Sequence, residues 1–146
     1  MGMWLKDPDS IRAALKVAKT VAVVGLQDNP ARPAFGVTKV LQAHGYKILP
    51  VHPAGGTVLG EPILRSVAEL PQGVDLVDIF RNPANLPGLL DEILSLPPEK
   101  RPHTLWFQDG AMDPETAERA AQAGFTVIMT DCVARVLARM QQQGAT

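Results

Sequence analysis

One cysteine, Cys132, stands in a chain of 146 residues, so no internal disulfide can form and the composition suits a reducing compartment. Histidine is scarce too. The three present, His44, His52 and His103, make no C-x-x-C or H-x-x-x-H spacing with one another or with Cys132, and no metal site is expected. Basic runs of five or more residues are missing and the formal charge is −1, which removes the electrostatic footprint of nucleic-acid binding. No stretch approaches the roughly 20 consecutive apolar residues of a membrane span, and the opening MGMWLKDPDS lacks the apolar run of a signal peptide. The expectation is a cytoplasmic protein with neither a membrane nor a nucleic acid as partner.

What remains is 46% apolar and 20% charged, the balance of an ordinary globular protein long enough to bury a core without staples. A single domain over residues 1–146 fits that length. Five short apolar runs, at residues 21–25, 46–51, 74–80, 104–107 and 125–129, read as strands. Helical segments alternate with them, at residues 9–19, from about 33 onwards with Val37, Val40 and Leu41 at helical spacing, at 63–70, 84–96, after Asp113-Pro114-Glu115, and at 133–142. The stops are Gly45, Pro71, Pro97-Pro98 and Gly124.

Alternation of this kind predicts an α/β, doubly wound (Rossmann-like) fold, a five-stranded parallel sheet with helices on both faces. The expected strand order is 3-2-1-4-5, with the winding reversing between the first and fourth strands. Ligands of such sheets sit outside the carboxyl ends of the strands. That rule selects residues 25–35, 52–56, 81–83, 108–110 and 130–132, the last being Thr130, Asp131 and Cys132.

The first of these places is a strand, a polar loop and a helix start, whose unpaired N–H groups and macrodipole favour an anion. A lone Gly25 is equally compatible with an ordinary turn. A nicotinamide dinucleotide would need a G-x-G-x-x-G turn and an acid ending the second strand. Gly25 is instead followed by Leu26-Gln27, and the second strand ends Pro50-Val51-His52.

The runs GLQDNPARPAFGVTKVLQAHGYKILPVHP, VDLVDIFRNP, LWFQDG and AGFTVIMTDC, in this order, resemble the small bacterial coenzyme A-binding proteins. These are stand-alone relatives of the nucleotide-binding domain of the succinyl-CoA synthetase alpha subunit. The resemblance implies a Rossmann-like CoA-binding domain with the coenzyme over the strand ends. It implies backbone contacts at Gly25, Leu26, Gln27, Asn29, Arg32 and Gly36, with further contacts at His52, Pro53, Arg81, Asn82, Gln108 and Gly110. The family usually has serine where this chain has Gln27 and Ala34, and often asparagine at His52. The synthetase's lysine after the proline matching Pro53 gives way to Ala54-Gly55-Gly56. Its phosphohistidine belongs to a second domain, so ligase activity is not implied.

Among the side chains, Arg32 and Arg81 offer the planar donor fork that matches phosphate oxygens, and His52 would stack on adenine or donate to phosphate, or else fix its own loop. Lys39, His44 and His103 read as surface residues. Asp75 and Asp78 lie three apart in a strand and so on opposite faces, which excludes a paired acid and base. Asp78 is expected as a hydrogen-bonded carboxylate near the sheet edge, Trp106 and Phe107 as core, and Cys132 as a structural thiol. The function expected is noncovalent binding of coenzyme A or a short acyl-CoA by a binding or regulatory module without a catalytic constellation. The alternatives are an NAD(P)-dependent oxidoreductase and a non-catalytic subunit of a CoA ligase. A protein partner or a homo-oligomer is compatible with both the module and the subunit.

Overall fold

The structure is a computed structural model and describes residues 2–129 and 132–142. Six parallel strands form its sheet: β1 (Met3–Leu5), β2 (Thr20–Val24), β3 (Lys47–Val51), β6 (Leu76–Ile79), β7 (Thr104–Phe107) and β8 (Thr126–Ile128). A two-stranded antiparallel hairpin, β4 (Thr57–Val58) with β5 (Glu61–Pro62), stands apart from it. The helices are α1 (Pro8–Val17), α2 (Pro33–Ala43), α3 (Leu86–Leu94), α4 (Pro114–Gln122) and α5 (Val133–Gln142).

The sheet runs β1-β8-β7-β6-β2-β3. Numbered by the five strands expected from sequence, the order is 2-1-3-4-5 with β1 added beyond the fifth strand, and this corrects the expected 3-2-1-4-5. Pro50 supplies the physical reason. It lies within β3 opposite Val23, has no N–H to give a second neighbour, and belongs at an edge. The expected order would have placed that strand between two others. The winding therefore reverses between β2 and β6, the first and third of the expected strands, and not between the first and fourth.

Two further expectations change. The helix expected at residues 63–70 is only a single 3₁₀ turn, Val67–Glu69. The chain before it is extended, with the Leu64 N–H on the Pro50 carbonyl at 2.8 Å. Ser66 then caps the short turn through the Ala68 N–H at 3.2 Å. The strand β1, absent from the expected set, has only three residues, too few to display alternation.

Helices cover both faces, as expected. On one, α3 and α4 pack Leu86, Leu89, Leu90, Ile93, Ala117 and Ala120 against Ala22, Val24, Val77, Ile79, Leu105 and Phe107. On the other, α1, α2 and α5 bring Ile11, Leu15, Leu41, Val136 and Leu137 against Val21, Val23, Leu76, Trp106 and Ile128. The sheet alternates between them, as its two-residue period requires. Trp106 and Phe107 are core, as expected. Asp7 caps α1 through the Ser10 N–H at 2.9 Å, and Asp75 accepts the N–H groups of Lys19 and Thr20 at 2.8 and 3.0 Å, pinning the entry to β2.

The tightest point is the exit from β2. Gly25 has φ +94°, its N–H reaches the Val51 carbonyl at 2.9 Å, and a Cβ built there would lie 2.1 Å from the Phe80 carbonyl oxygen. Only glycine meets both conditions. Gly25→Ala is expected to destabilise the protein by about 2 to 4 kcal/mol through backbone strain plus overpacking. A urea unfolding curve with an unshifted midpoint would contradict this contact.

Candidate functional site

The carboxyl ends of β2, β3, β6 and β7 open into one cleft of about 440 Å³, located where the winding reverses. After β2 the chain contributes Gly25, Gln27, Arg32, Pro33 and Ala34, and after β3 it contributes His52 and Pro53. Phe80, Arg81, Asn82 and Asn85 come from the β6 end, Asp109 and Gly110 from the β7 end.

The loop after β2 is held by its own backbone. Asn29 donates its N–H to the Gln27 carbonyl at 2.8 Å, Arg32 donates to the Asn29 carbonyl at 3.0 Å, and the Asn29 Oδ1 accepts the Ala31 N–H at 3.0 Å. This delivers the chain to α2 without a side-chain cap, as at α3. The N-cap residue is Arg32, no side chain caps the helix, Pro33 opens it and its first turn has no acid. By contrast, α1 begins with capping Asp7 and with Asp9, and α4 with Asp113 and Glu115. A guanidinium beside the positive end of a helix dipole is electrostatically unfavourable by itself, and an anion between them would reverse that.

His52 is fixed by its loop. Its Nδ1 accepts the Ala54 N–H at 3.0 Å, so the neutral ring carries its proton on Nε2 and is a donor there. Below the loop, Arg65 Nη1 donates to the Pro53 carbonyl at 3.1 Å, and the Arg65 guanidinium packs beneath Gly55. On the β6 side, Asn82 Oδ1 accepts the Ala84 N–H at 3.0 Å and starts the 3₁₀ turn Pro83–Asn85 that leads into α3. Across the cleft Asp109 is engaged by Arg135 Nη2 at 2.8 Å, so its charge is offset and the positive character of Arg32 and Arg81 prevails.

Of the residues singled out from sequence, Gly25, Gln27, Arg32, His52, Pro53, Arg81, Asn82 and Gly110 line the cleft. Four do not. Leu26 is fully buried in the core, Asn29 is spent on its own turn, and Gly36 is exposed within α2, outside the lining. Gln108 is turned inward and buried. Thr130 and Asp131 lie outside the described residues, and Cys132 is half-buried just before α5. Pro33, Ala34 and Asp109 fall within the strand-end stretches selected from sequence but were not singled out, and Phe80 and Asn85 lie outside those stretches yet line the cleft. The Asn82-x-x-Asn85 spacing was the available signal for Asn85, since both ends of one 3₁₀ turn face the same side.

Gln108 meets Asp78, which lies not near the sheet edge as expected but on β6, between β2 and β7. Asp78 is completely buried and its Oδ1 is 2.5 Å from Gln108 Nε2. Burial pushes the Asp78 carboxyl up to about 8, against the opposing pull of the Gln108 hydrogen bond. Asp78 Oδ2 and Gln108 Oε1 are buried without hydrogen-bond partners among the described residues.

Comparison with known proteins follows the same geometry. Residues 19–138 match the family model described as the CoA binding domain. The chain is 36% identical over 123 residues to the uncharacterized protein YneT of Bacillus subtilis (strain 168), covering 84% of this chain and 88% of that one. A solved structure from Thermus thermophilus, cell-free ID.343, is similar at 35% identity, covers 92% of this chain and 99% of its own, and superposes with a TM-score of 0.84. At the level of fold alone, the dinucleotide forming acetyl-coenzyme A synthetase 1 of Ca. Korarchaeum cryptofilum is similar at 20% identity and TM-score 0.62, over 75% of this chain and 25% of that one. The resemblance read from the sequence blocks is thus matched by a family model, relatives and fold, and the chain belongs to the CoA binding domain family.

Proposed function

We propose that this protein binds coenzyme A or a short acyl-CoA noncovalently in the cleft at the β2/β6 switch point. The observation that carries the reading is the uncapped start of α2, which opens into the cleft with Arg32 at its cap and Arg81 on the adjoining wall. The Ala34 N–H at the helix start, left over because Pro33 has none and Phe35 donates to the Arg32 carbonyl, together with two guanidinium forks, suits a diphosphate. His52, whose Nδ1 accepts the Ala54 N–H, presents Nε2 for a further polar contact at the ligand's edge. Family membership points to the same coenzyme. As a single domain the protein would act as a binding or regulatory module of the cytoplasm, alone, as a homo-oligomer or beside a catalytic partner.

A nicotinamide dinucleotide is not favoured. Its ribose hydroxyls call for a carboxylate at the end of the second strand, but β3 runs into His52-Pro53, and Asp109 stands after β7 with Arg135 already on it. Among the described residues no helix is long and apolar enough to cross a membrane.

Calorimetric titration tests the assignment directly: saturable binding of CoA without saturable binding of NADH is expected, and the reverse pattern would overturn it. Arg32→Ala and Arg81→Ala are each expected to weaken CoA binding by about 1 to 3 kcal/mol, the worth of a charge-assisted hydrogen bond. If both variants titrate like the parent protein, the phosphates do not lie between these residues.

A further inference from the structure

Asp78 is the strangest residue of the core. Strand alternation turns it to the face covered by α1, α2 and α5, with Val23 and Trp106 beside it in register. Those helices and the segments around them bring Ile11, Leu15, Ala34, Thr38 and Val133 to this core. The Thr38 hydroxyl is already donated to the Ala34 carbonyl at 2.7 Å. Their charged residues are Asp9, Arg12 and Lys16 in α1, Lys39 in α2, and Arg135 and Arg139 in α5. None of the six is buried, and Arg12 pairs with Asp9. Among the described residues the other titratable groups at this face are half-buried Tyr46, whose hydroxyl donates to the Leu15 carbonyl at 2.7 Å, and half-buried Cys132, and Gln108 is the hydrogen-bond partner of the Asp78 carboxyl.

Burial without a cation decides its nature. A carboxylic acid whose Oδ1 accepts the Gln108 Nε2–H puts no uncompensated charge into this apolar core. Both residues are also tied to the cleft by sequence. Asp78 precedes Phe80 and Arg81 by two and three positions, and Gln108 immediately precedes the Asp109-Gly110 turn. The two strand ends are joined besides by the Gln108 N–H on the Ile79 carbonyl at 3.1 Å.

We propose that Asp78 and Gln108 form an uncharged acid–amide clamp that sets the spacing between the strand ends carrying Arg81 and Asp109-Gly110, and that the cleft binds its ligand only with the clamp closed. The pair acts through those wall residues and is therefore a positioning pair. Its ligand half rests on the coenzyme reading above. Ionising Asp78 would leave a buried negative charge with one amide donor and no cation; its relief requires water, whose entry parts the strand ends.

Two measurements test this in the intact protein. The first needs no ligand: the Asp78 carboxyl carbon is followed by NMR as pH is raised. A midpoint near 8 is expected, and a carboxylate already ionised at neutral pH overturns the clamp. The second titrates CoA into the parent and into Asp78→Asn, whose side chain stays uncharged and hydrogen-bonding at every pH. The comparison cancels the titration of CoA itself. One pH unit above the midpoint, the parent is expected to lose about tenfold in affinity relative to the variant, because only about a tenth of its molecules retain the proton. A parent-to-variant ratio that does not move with pH overturns the link between clamp and cleft. Absence of CoA binding by the parent at every pH overturns the coenzyme reading, and the carboxyl titration then still decides the clamp.

Discussion

Everything at the functional end of this molecule depends on how closely two strands leave the sheet. At Gly25 the backbone of the first long strand turns with positive φ against the Phe80 carbonyl, leaving 2.1 Å where a Cβ would stand. The Phe80 N–H is in turn donated to the Val24 carbonyl at 2.9 Å. That proximity exists because the chain winds outward from β2 to β3 and then crosses back to β6 on the other side. Two loops diverge from one point, and the space between them is the cleft.

The electrostatic character of the cleft follows from the same point. Since β2 ends at its mouth, the next helix must start there; Pro33 has no N–H and the Phe35 N–H is donated to the Arg32 carbonyl at 3.1 Å, which leaves the Ala34 N–H at the cleft wall. The starts of α1 and α4 carry Asp7 and Asp9 or Asp113 and Glu115, whereas α2 begins at Arg32 without a side-chain acceptor or an acid in its first turn, as α3 begins at Asn85. A helix start left open, with a cation beside it, is less stable than a capped one by about 1 kcal/mol. Such a start beside a second arginine would suit an anion. The neutral Asp78 and Gln108 pair lies under the neighbouring strand ends. Both features keep negative charge of the protein's own away from where a phosphate would rest.

Much of this was legible in the sequence, for reasons specific to particular residues. The helical stripe of Ile11 and Leu15, and the apolar runs around Val23, Ile79 and Leu105, state an α/β sheet with helices on both faces through their periods alone. Pro50 held the information that the second strand is an edge. Overlooking it gave the wrong order, and with it the belief that Asp78 lay near an edge. Strand β1 is too short to show a period, and its place beside β8 is a tertiary result. In the site, glycine and arginine positions at the strand ends could be named from sequence because a strand end is a local feature. Which side chains turn inward could not be named without fixing the face. Leu26 follows Gly25 into the core, and Gln108 shares the face of Trp106, so both leave the cleft wall while Asp109 and Asn85 join it.

The central claim is that a phosphate-bearing coenzyme rests between the start of α2 and the end of β6. The most direct test is to follow the backbone amide resonances of the labelled protein as CoA is added. The largest shifts are expected on residues 25–36 and 80–85, led by the Ala34 amide at the start of α2. Shifts confined to the opposite end of the sheet, around Asp75, Arg101 and His103, would contradict it.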